Sequence, residues 1–230
     1  MKPILSARNI KKSFFNPTKI EILKGISLDL FPGESIAIMG ASGEGKSTLL
    51  QILGTLEEPS EGELWIAEKS VLKNPPPTIR NRHIGFVFQS FHLLEEYTVL
   101  QNVLMPALIA GKDIGKQSAA YEQAFRFLTR VGLKERAHFH TKFLSGGEKQ
   151  RVALARAFCN NPEIILADEP SGNLDHQTST QIHALLIESV KEFNKALIVV
   201  THDRELASLC DRQLLLCDGR IATSTSTKSR

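Results

Sequence analysis

"GASGEGKST" occupies residues 40–48, directly after the apolar run "SIAIM" (35–39) and directly before a helical pattern that begins near Lys46. The spacing Gly40-x-x-x-x-Gly45-Lys46-Ser47, set between a strand and a helix, is that of a loop wrapped around phosphate. Gly40, Gly43 and Gly45 let the backbone turn its N–H groups inward, and the helix start adds unpaired N–H groups and the positive end of its dipole. That chemistry puts Lys46 on the β and γ phosphates of a nucleotide and the Ser47 hydroxyl on Mg2+, with Ala41, Ser42 and Thr48 completing the cradle. Glu44 is the anomaly in the loop. A carboxylate ~5 Å from a phosphate charge, at an effective dielectric of ~20, costs roughly 3 kcal/mol and weakens binding more than a hundredfold. The side chain is therefore expected to project outward, leaving only its backbone N–H facing phosphate.

A second half-site lies in "IILADEP" (164–170). A buried strand ending in Asp168 presents a carboxylate beside the phosphates, where it supports the Mg2+ shell. Glu169 stands next to it, and two adjacent carboxylates repel unless a cation or its water lies between them. Glu169 is thereby the candidate base that activates water. A third feature, "LSGGEKQRVALARAF" (144–158), places Ser145, Gly146 and Gly147 at another helix start rich in backbone donors. One triphosphate is not easily wrapped by two such starts of one compact chain, so the second is assigned to a nucleotide held by another copy.

Around these motifs, "SIAIMG" (35–40), "HIGFVF" (83–88), "EIILAD" (163–168), "ALIVVT" (196–201) and "QLLLC" (213–217) read as strands buried on both faces. Helical stripes alternate with them, at Val152, Ala155, Phe158 and Cys159 and at Ile182, Leu185, Leu186 and Phe193. The alternation predicts an α/β fold with a mainly parallel sheet. "ILSARNI", "ISLDL" and "GELWIA" alternate apolar with polar residues, as half-exposed antiparallel strands do, so an N-terminal antiparallel β layer is expected. From about 91 to 143 a helical stripe (Ala120, Ala124, Phe127, Leu128, Val131) predicts a helical subdomain inserted within one domain spanning 1–230. "NPPPT" (74–78) reads as a stiff exposed loop and "ATSTSTKSR" (222–230) as a frayed tail.

At 230 residues and 42% hydrophobic content the chain holds one substantial core with room for a small subdomain. Its net charge of +3, from 28 basic and 25 acidic residues, gives no argument for a nucleic-acid or membrane-surface partner. Cys159, Cys210 and Cys217 are spread without metal or redox spacing. No apolar core of a signal peptide develops and no run approaches the ~20 residues of a membrane helix. A soluble cytoplasmic chain is expected, with any membrane role supplied by another polypeptide.

The motif series resembles that of the ATP-binding cassette (ABC) ATPases, over about residues 4–221. "GASGEGKST", Gln89 closing "FVFQ", "LSGGEKQR", "IILADE", "SGNLD" (171–175) and His202 in "VVTHD" occur in the family's order. The resemblance implies an α/β P-loop cassette in which two copies stack head to tail, each ATP lying between one P-loop and the partner's Ser145, Gly146 and Gly147. It implies that Gln89 senses Mg2+ and the attacking water, and that Asp168 supports the metal while Glu169 polarises the water. His202 would contact the γ-phosphate and Asp175 would complete the dimer seam, near which Glu44 would also lie. An aromatic would stack on adenine, either Phe14 or Phe15.

"LGTLEEPSEGE" (53–63), "NVLMPALIAGK" (102–112) and "SGNLD" look like the branch holding lipoprotein-releasing, macrolide-exporting and division-associated cassettes. That branch implies a homodimer working with integral-membrane permease subunits at the cytoplasmic face of the inner membrane. Lipoprotein release is the favoured function, since no regulatory domain is expected beyond "QLLLCDGRIATS" (213–224). Macrolide-type efflux and regulation of an outer hydrolase by ATP cycling are the alternatives. A nucleic-acid clamp is disfavoured, because neither long heptad arms nor a second cassette is present.

Overall fold

The computed structural model describes residues 1–15, 17–71 and 77–226. The chain begins with a long antiparallel pair, β1 (Leu5–Phe15) and β2 (Lys19–Leu30), followed by β3 (Ser35–Met39) and helix α1 (Lys46–Leu53). Then come β4 (Glu61–Ile66), β5 (Lys69–Val71), α2 (Pro77–His83) and β6 (Ile84–Val87). The stretch that follows carries α3 (Val99–Ile109), α4 (Ala119–Arg130) and two short 3-10 turns before α5 (Gly146–Phe158). The remainder is β7 (Ile164–Asp168), α6 (His176–Glu192), β8 (Ala196–Val200), α7 (Arg204–Ser208), β9 (Arg212–Cys217) and β10 (Arg220–Ser226).

Two sheets result. One is antiparallel in the order β2-β1-β4-β5, and the other runs β10-β9-β3-β8-β7-β6 with every pair parallel except β10 on β9. The uninterrupted apolar runs of the second sheet are explained by its two buried faces. Ile36, Ile38, Ile164, Leu166 and Ile198 face one core with α1 and the antiparallel sheet, while Ala37, Ile165, Ala167, Leu197 and Val199 face the other with the long helices. Each fully buried Leu or Ile contributes about 1.5–3 kcal/mol, so both faces hold the sheet.

β1 alternates as expected until Asn9, where a positive φ of 50° and a register shift between Ala7 and Ile10 mark a bulge. The extra residue lets both Ala7 and Ile10 point inward, which strict alternation forbids. Phe127 of α4 stacks on Phe158 of α5 at 5.1 Å and leans on Phe193 at 4.8 Å, fixing α4 to the second core. The carbonyl of Pro106, inside α3, accepts the helical N–H of Ala110 at 3.1 Å and also the side chains of Asn81 and Asn160, both at 3.0 Å.

The C-terminal sequence behaves differently from the expected frayed tail. Residues 222–226 continue β10, whose backbone pairs with β9 as far as Ser226↔Arg212. Of the proline run, 74–76 lies outside the described residues and Pro77 and Thr78 open α2. No helix among the described residues is long and apolar enough to cross a membrane. The carboxyl ends of β3, β6, β7 and β8 lie along one edge of the parallel sheet, and the loops that leave them carry Gly40, Gln89, Glu169 and His202. That edge is where open α/β sheets bind ligands.

Candidate functional site

The loop after β3 turns through two left-handed glycines, Gly43 at φ 86° and Gly45 at φ 92°, before α1 begins at Lys46. Side chains are excluded at Gly45 by space as well, since a Cβ there would lie 2.7 Å from Ile22 Cγ2. Lys46 folds back across the loop, its Nζ donating to the carbonyls of Gly40 (2.9 Å) and Ala41 (2.8 Å). The loop opens on a cleft of about 670 Å³. Gly40, Ala41, Ser42, Gly43, Gly45, Lys46, Ser47 and Thr48 form one wall, and Phe14, Ile22, Gln89, Glu169 and His202 close it.

Glu44 is absent from that lining. Its Oε2 instead accepts the backbone N–H of Asp218 in the β9–β10 turn, and the Asp218 carboxylate is paired with Lys24. The Glu44 charge is therefore directed at a backbone donor beside an ammonium rather than at the cleft. Of the two candidate aromatics, Phe14 lines the cleft with Lys12 Nζ 5.0 Å from its ring centre, whereas Phe15 is 76% exposed and does not.

Behind the loop, Ser47 Oγ donates to Asp168 Oδ1 at 3.1 Å. Burial pushes the Asp168 carboxyl above its ordinary range; the Ser47 hydrogen bond opposes this, the Glu169 charge adds to it and Lys46 opposes it. Glu169 leaves β7 with a positive φ of 43°, which turns its side chain toward the β8 loop. There Thr201 Oγ1 donates to Oε2 (3.1 Å), the His202 backbone N–H donates to Oε1 (3.0 Å), and His202 Nδ1 lies 2.8 Å from the same oxygen. Gln89 Nε2 donates to Asn173 Oδ1 (3.3 Å) and Asn173 Nδ2 returns a bond to the Gln89 carbonyl (3.1 Å), so Gln89 is held by the loop after β7.

A hydroxyl beside a partly desolvated carboxylate suits a hard cation that keeps most of its water, which is how Mg2+ is bound next to phosphates. Among the described residues no cluster of three His, Cys, Asp or Glu side chains could hold a metal ion.

Ser145, Gly146, Gly147 and Asp175 are not brought to this cleft. Ser145 caps α5 in a reciprocal box, its N–H and Oγ donating to Glu148 Oε2 at 2.9 and 3.0 Å and its Oγ accepting from the Glu148 N–H at 3.3 Å. The interaction with the Ser145 N–H holds the Glu148 carboxyl below its usual range. Gly147 is pressed against α6, where a Cβ would meet Thr178 Cγ2 at 2.6 Å. Asp175 caps α6 through Thr178 (N–H at 2.9 Å, Oγ1 at 2.6 Å), and those bonds hold its carboxyl low.

Several members went unassigned in the sequence. Thr201 and Asn173 hold Glu169 and Gln89, and both stand inside motifs already read, "VVTHD" and "SGNLD". Gln150 likewise stands inside "LSGGEKQR", whereas Ile22 carried no signal. Gln150 is fully buried on α5 and donates to the carbonyls of Pro170 (2.5 Å) and Phe88 (3.3 Å), joining α5 to two loops of the cleft.

The glycine loop on β3, the Asp–Glu pair on β7 and the strand β8 inserted between them give the chain the build of a P-loop nucleoside triphosphatase. Residues 23–172 match the ABC transporter family, and the chain belongs to that family of ATP-hydrolysing cassettes. Over 94% of its length it is 57% identical to the lipoprotein-releasing system ATP-binding protein LolD of Protochlamydia amoebophila (strain UWE25), covering 95% of that relative. The protein of the same description from Myxococcus xanthus (strain DK1622) is 48% identical, with 95% and 98% covered. The fold is similar to that of the ATP-binding cassette MJ0796, solved as a dimer in a post-hydrolysis state with ADP and Pi. That likeness has a TM-score of 0.87 at 36% identity, spanning 98% of this chain and all of that one.

Proposed function

We propose that the chain is the ATPase subunit of a lipoprotein-releasing transporter, acting as a homodimer on integral-membrane permease subunits at the cytoplasmic face of the inner membrane. The lipoprotein part rests on near-full-length similarity to relatives of that description. The composite site rests on one observation: the Ser145–Gly147 helix start stands outside its own chain's cleft.

In this reading Phe14 stacks on adenine, Lys46 leaves the Gly40 and Ala41 carbonyls for the β and γ phosphates, and the loop N–H groups hold the phosphate oxygens. Ser47 and Asp168 would hold Mg2+, with Gln89 beside them, and the ion would supply positive charge against the phosphates. Glu169 draws a proton from the attacking water, whose oxygen bonds to the γ phosphorus as the bond to the bridging oxygen breaks and ADP leaves with that oxygen. An ionised Glu169 places the proton of His202 on Nδ1. That carboxylate carries two donors on Oε1 and one on Oε2, so Oε2 keeps a lone pair for the water. The His202 ring is 75% exposed and lines the cleft, where it meets the γ-phosphate.

Residues 91–143 act as a subdomain that transmits closure. Beyond Gln89 an apolar groove lined by Leu56, Phe86, Phe88, Met105 and Ile109 offers the permease a seat. The test is purification from membranes with identification of the associated chain. A permease with few membrane helices and a large outer domain is expected, and a many-helix importer contradicts the reading.

A further inference from the structure

His183, on the second turn of α6, is 3% exposed and has no part in the site as read so far. Its Nε2 lies 2.6 Å from Ser171 Oγ and 4.0 Å from Asp203 Oδ2. Each of these neighbours heads a loop of the cleft. Ser171 opens the segment whose Asn173 holds Gln89, and Gly172 packs so closely that a Cβ would meet Gln89 Nε2 at 2.7 Å. Asp203 follows His202, and its N–H donates to Thr201 Oγ1 (3.0 Å), the hydroxyl that in turn donates to Glu169 (3.1 Å). Asp203 Oδ1 also caps α7 through the Leu206 N–H (3.0 Å), so this loop is fixed at both ends.

One imidazole nitrogen thus stands between the loop that restrains Gln89 and the loop that restrains Glu169. A Phe or Leu would fill the same buried volume, but only a polar ring satisfies the Ser171 hydroxyl and faces Asp203 at once. Burial lowers the His183 pKa, with Asp203 and Glu205 opposing and His176 adding to the effect, so the neutral ring is the working form near pH 7.

We propose that His183 is a positioning residue that couples the Ser171–Asp175 loop to the His202 loop, so that Gln89 and Glu169 adopt their hydrolytic places together. The inference rests on the proposed assignment of Gln89, Glu169 and His202 to hydrolysis.

The test compares steady-state ATP hydrolysis by the full chain in five forms: wild type, His183→Phe, His183→Gln, Ser171→Ala and the double variant His183→Phe with Ser171→Ala. Loss of one ordinary hydrogen bond lowers kcat about three- to tenfold in His183→Phe, with KM for ATP within about twofold. His183→Gln, whose amide nitrogen reaches the place of Nε2, recovers at least about half of the wild-type kcat. Ser171→Ala repeats the Phe defect, and combining it with His183→Phe adds little more. Wild-type kcat in His183→Phe, a Gln variant as impaired as the Phe variant, or fully additive losses would each overturn the coupling role. A wild-type chain without ATP hydrolysis sinks the functional reading as well, whereas an active wild type with unaffected variants sinks only the role of His183.

Discussion

His202 Nδ1 and the His202 backbone nitrogen converge on a single oxygen, Glu169 Oε1, at 2.8 and 3.0 Å. The side chain proposed to polarise water is thus held by the residue proposed to find the γ-phosphate. Glu169→Gln keeps the size of the side chain while removing the charge that draws a proton from water. It is expected to lower turnover at least about a hundredfold while ATP stays bound to a trapped dimer. Phosphate release and nucleotide retained through gel filtration measure both effects, and brisk hydrolysis by the variant would remove Glu169 from the role of base.

Glu44→Ser removes a carboxylate that faces the Asp218 N–H and not the cleft. ATP affinity, read by equilibrium binding, is expected to change less than about threefold, since no like-charge repulsion is relieved. Tightening of tenfold or more would mean that the carboxylate faces phosphate after all.

Phe14→Ala and Phe15→Ala separate the two aromatics. A stacked ring contributes about 0.5–1.5 kcal/mol beyond its area, so the first substitution weakens nucleotide binding roughly threefold to tenfold. The second leaves it near wild type, because Phe15 lies outside the cleft. Equal losses in the two variants, titrated with a fluorescent ATP analogue, would reject the assignment of Phe14.

A pH prediction follows from His183, whose pKa is lowered in the folded chain by burial, against Asp203 and Glu205 and with His176. With the folded value below the unfolded one of about 6.5, the unfolded chain takes up the proton first as pH falls. Stability from this group is present above that value and is lost on acidification. His183→Phe lacks the linkage, so its Tm should fall less than that of wild type between pH 7 and 5, by a few degrees. Parallel Tm profiles would show that the ring carries no such burial cost.

The parallel strands were legible because burial on both faces leaves an unbroken apolar run, as in "IILAD" and "ALIVV". The bulge at Asn9 was not, since an inserted residue breaks the very alternation that reveals a strand. Residues 222–226 have a polar sequence that reads as a tail, yet an edge strand asks only for backbone pairing with β9. In the site, the identities of Lys46, Ser47, Asp168, Glu169 and His202 are written into local motifs. Their present partners are not: Glu44 meets a backbone N–H 174 residues away, and Ser171 meets a histidine that its own motif does not contain. Spacing encodes chemistry within a loop, whereas contacts between loops depend on how the sheet brings them together.

Enclosure of one triphosphate by two copies is read by specific activity across a dilution series. The hydrolysis rate per chain should climb with protein concentration as monomers pair, and Ser145→Arg should abolish it while leaving ATP binding to the P-loop intact. A rate per chain that stays constant down to strictly monomeric concentrations, with Ser145→Arg fully active, would contradict the composite site.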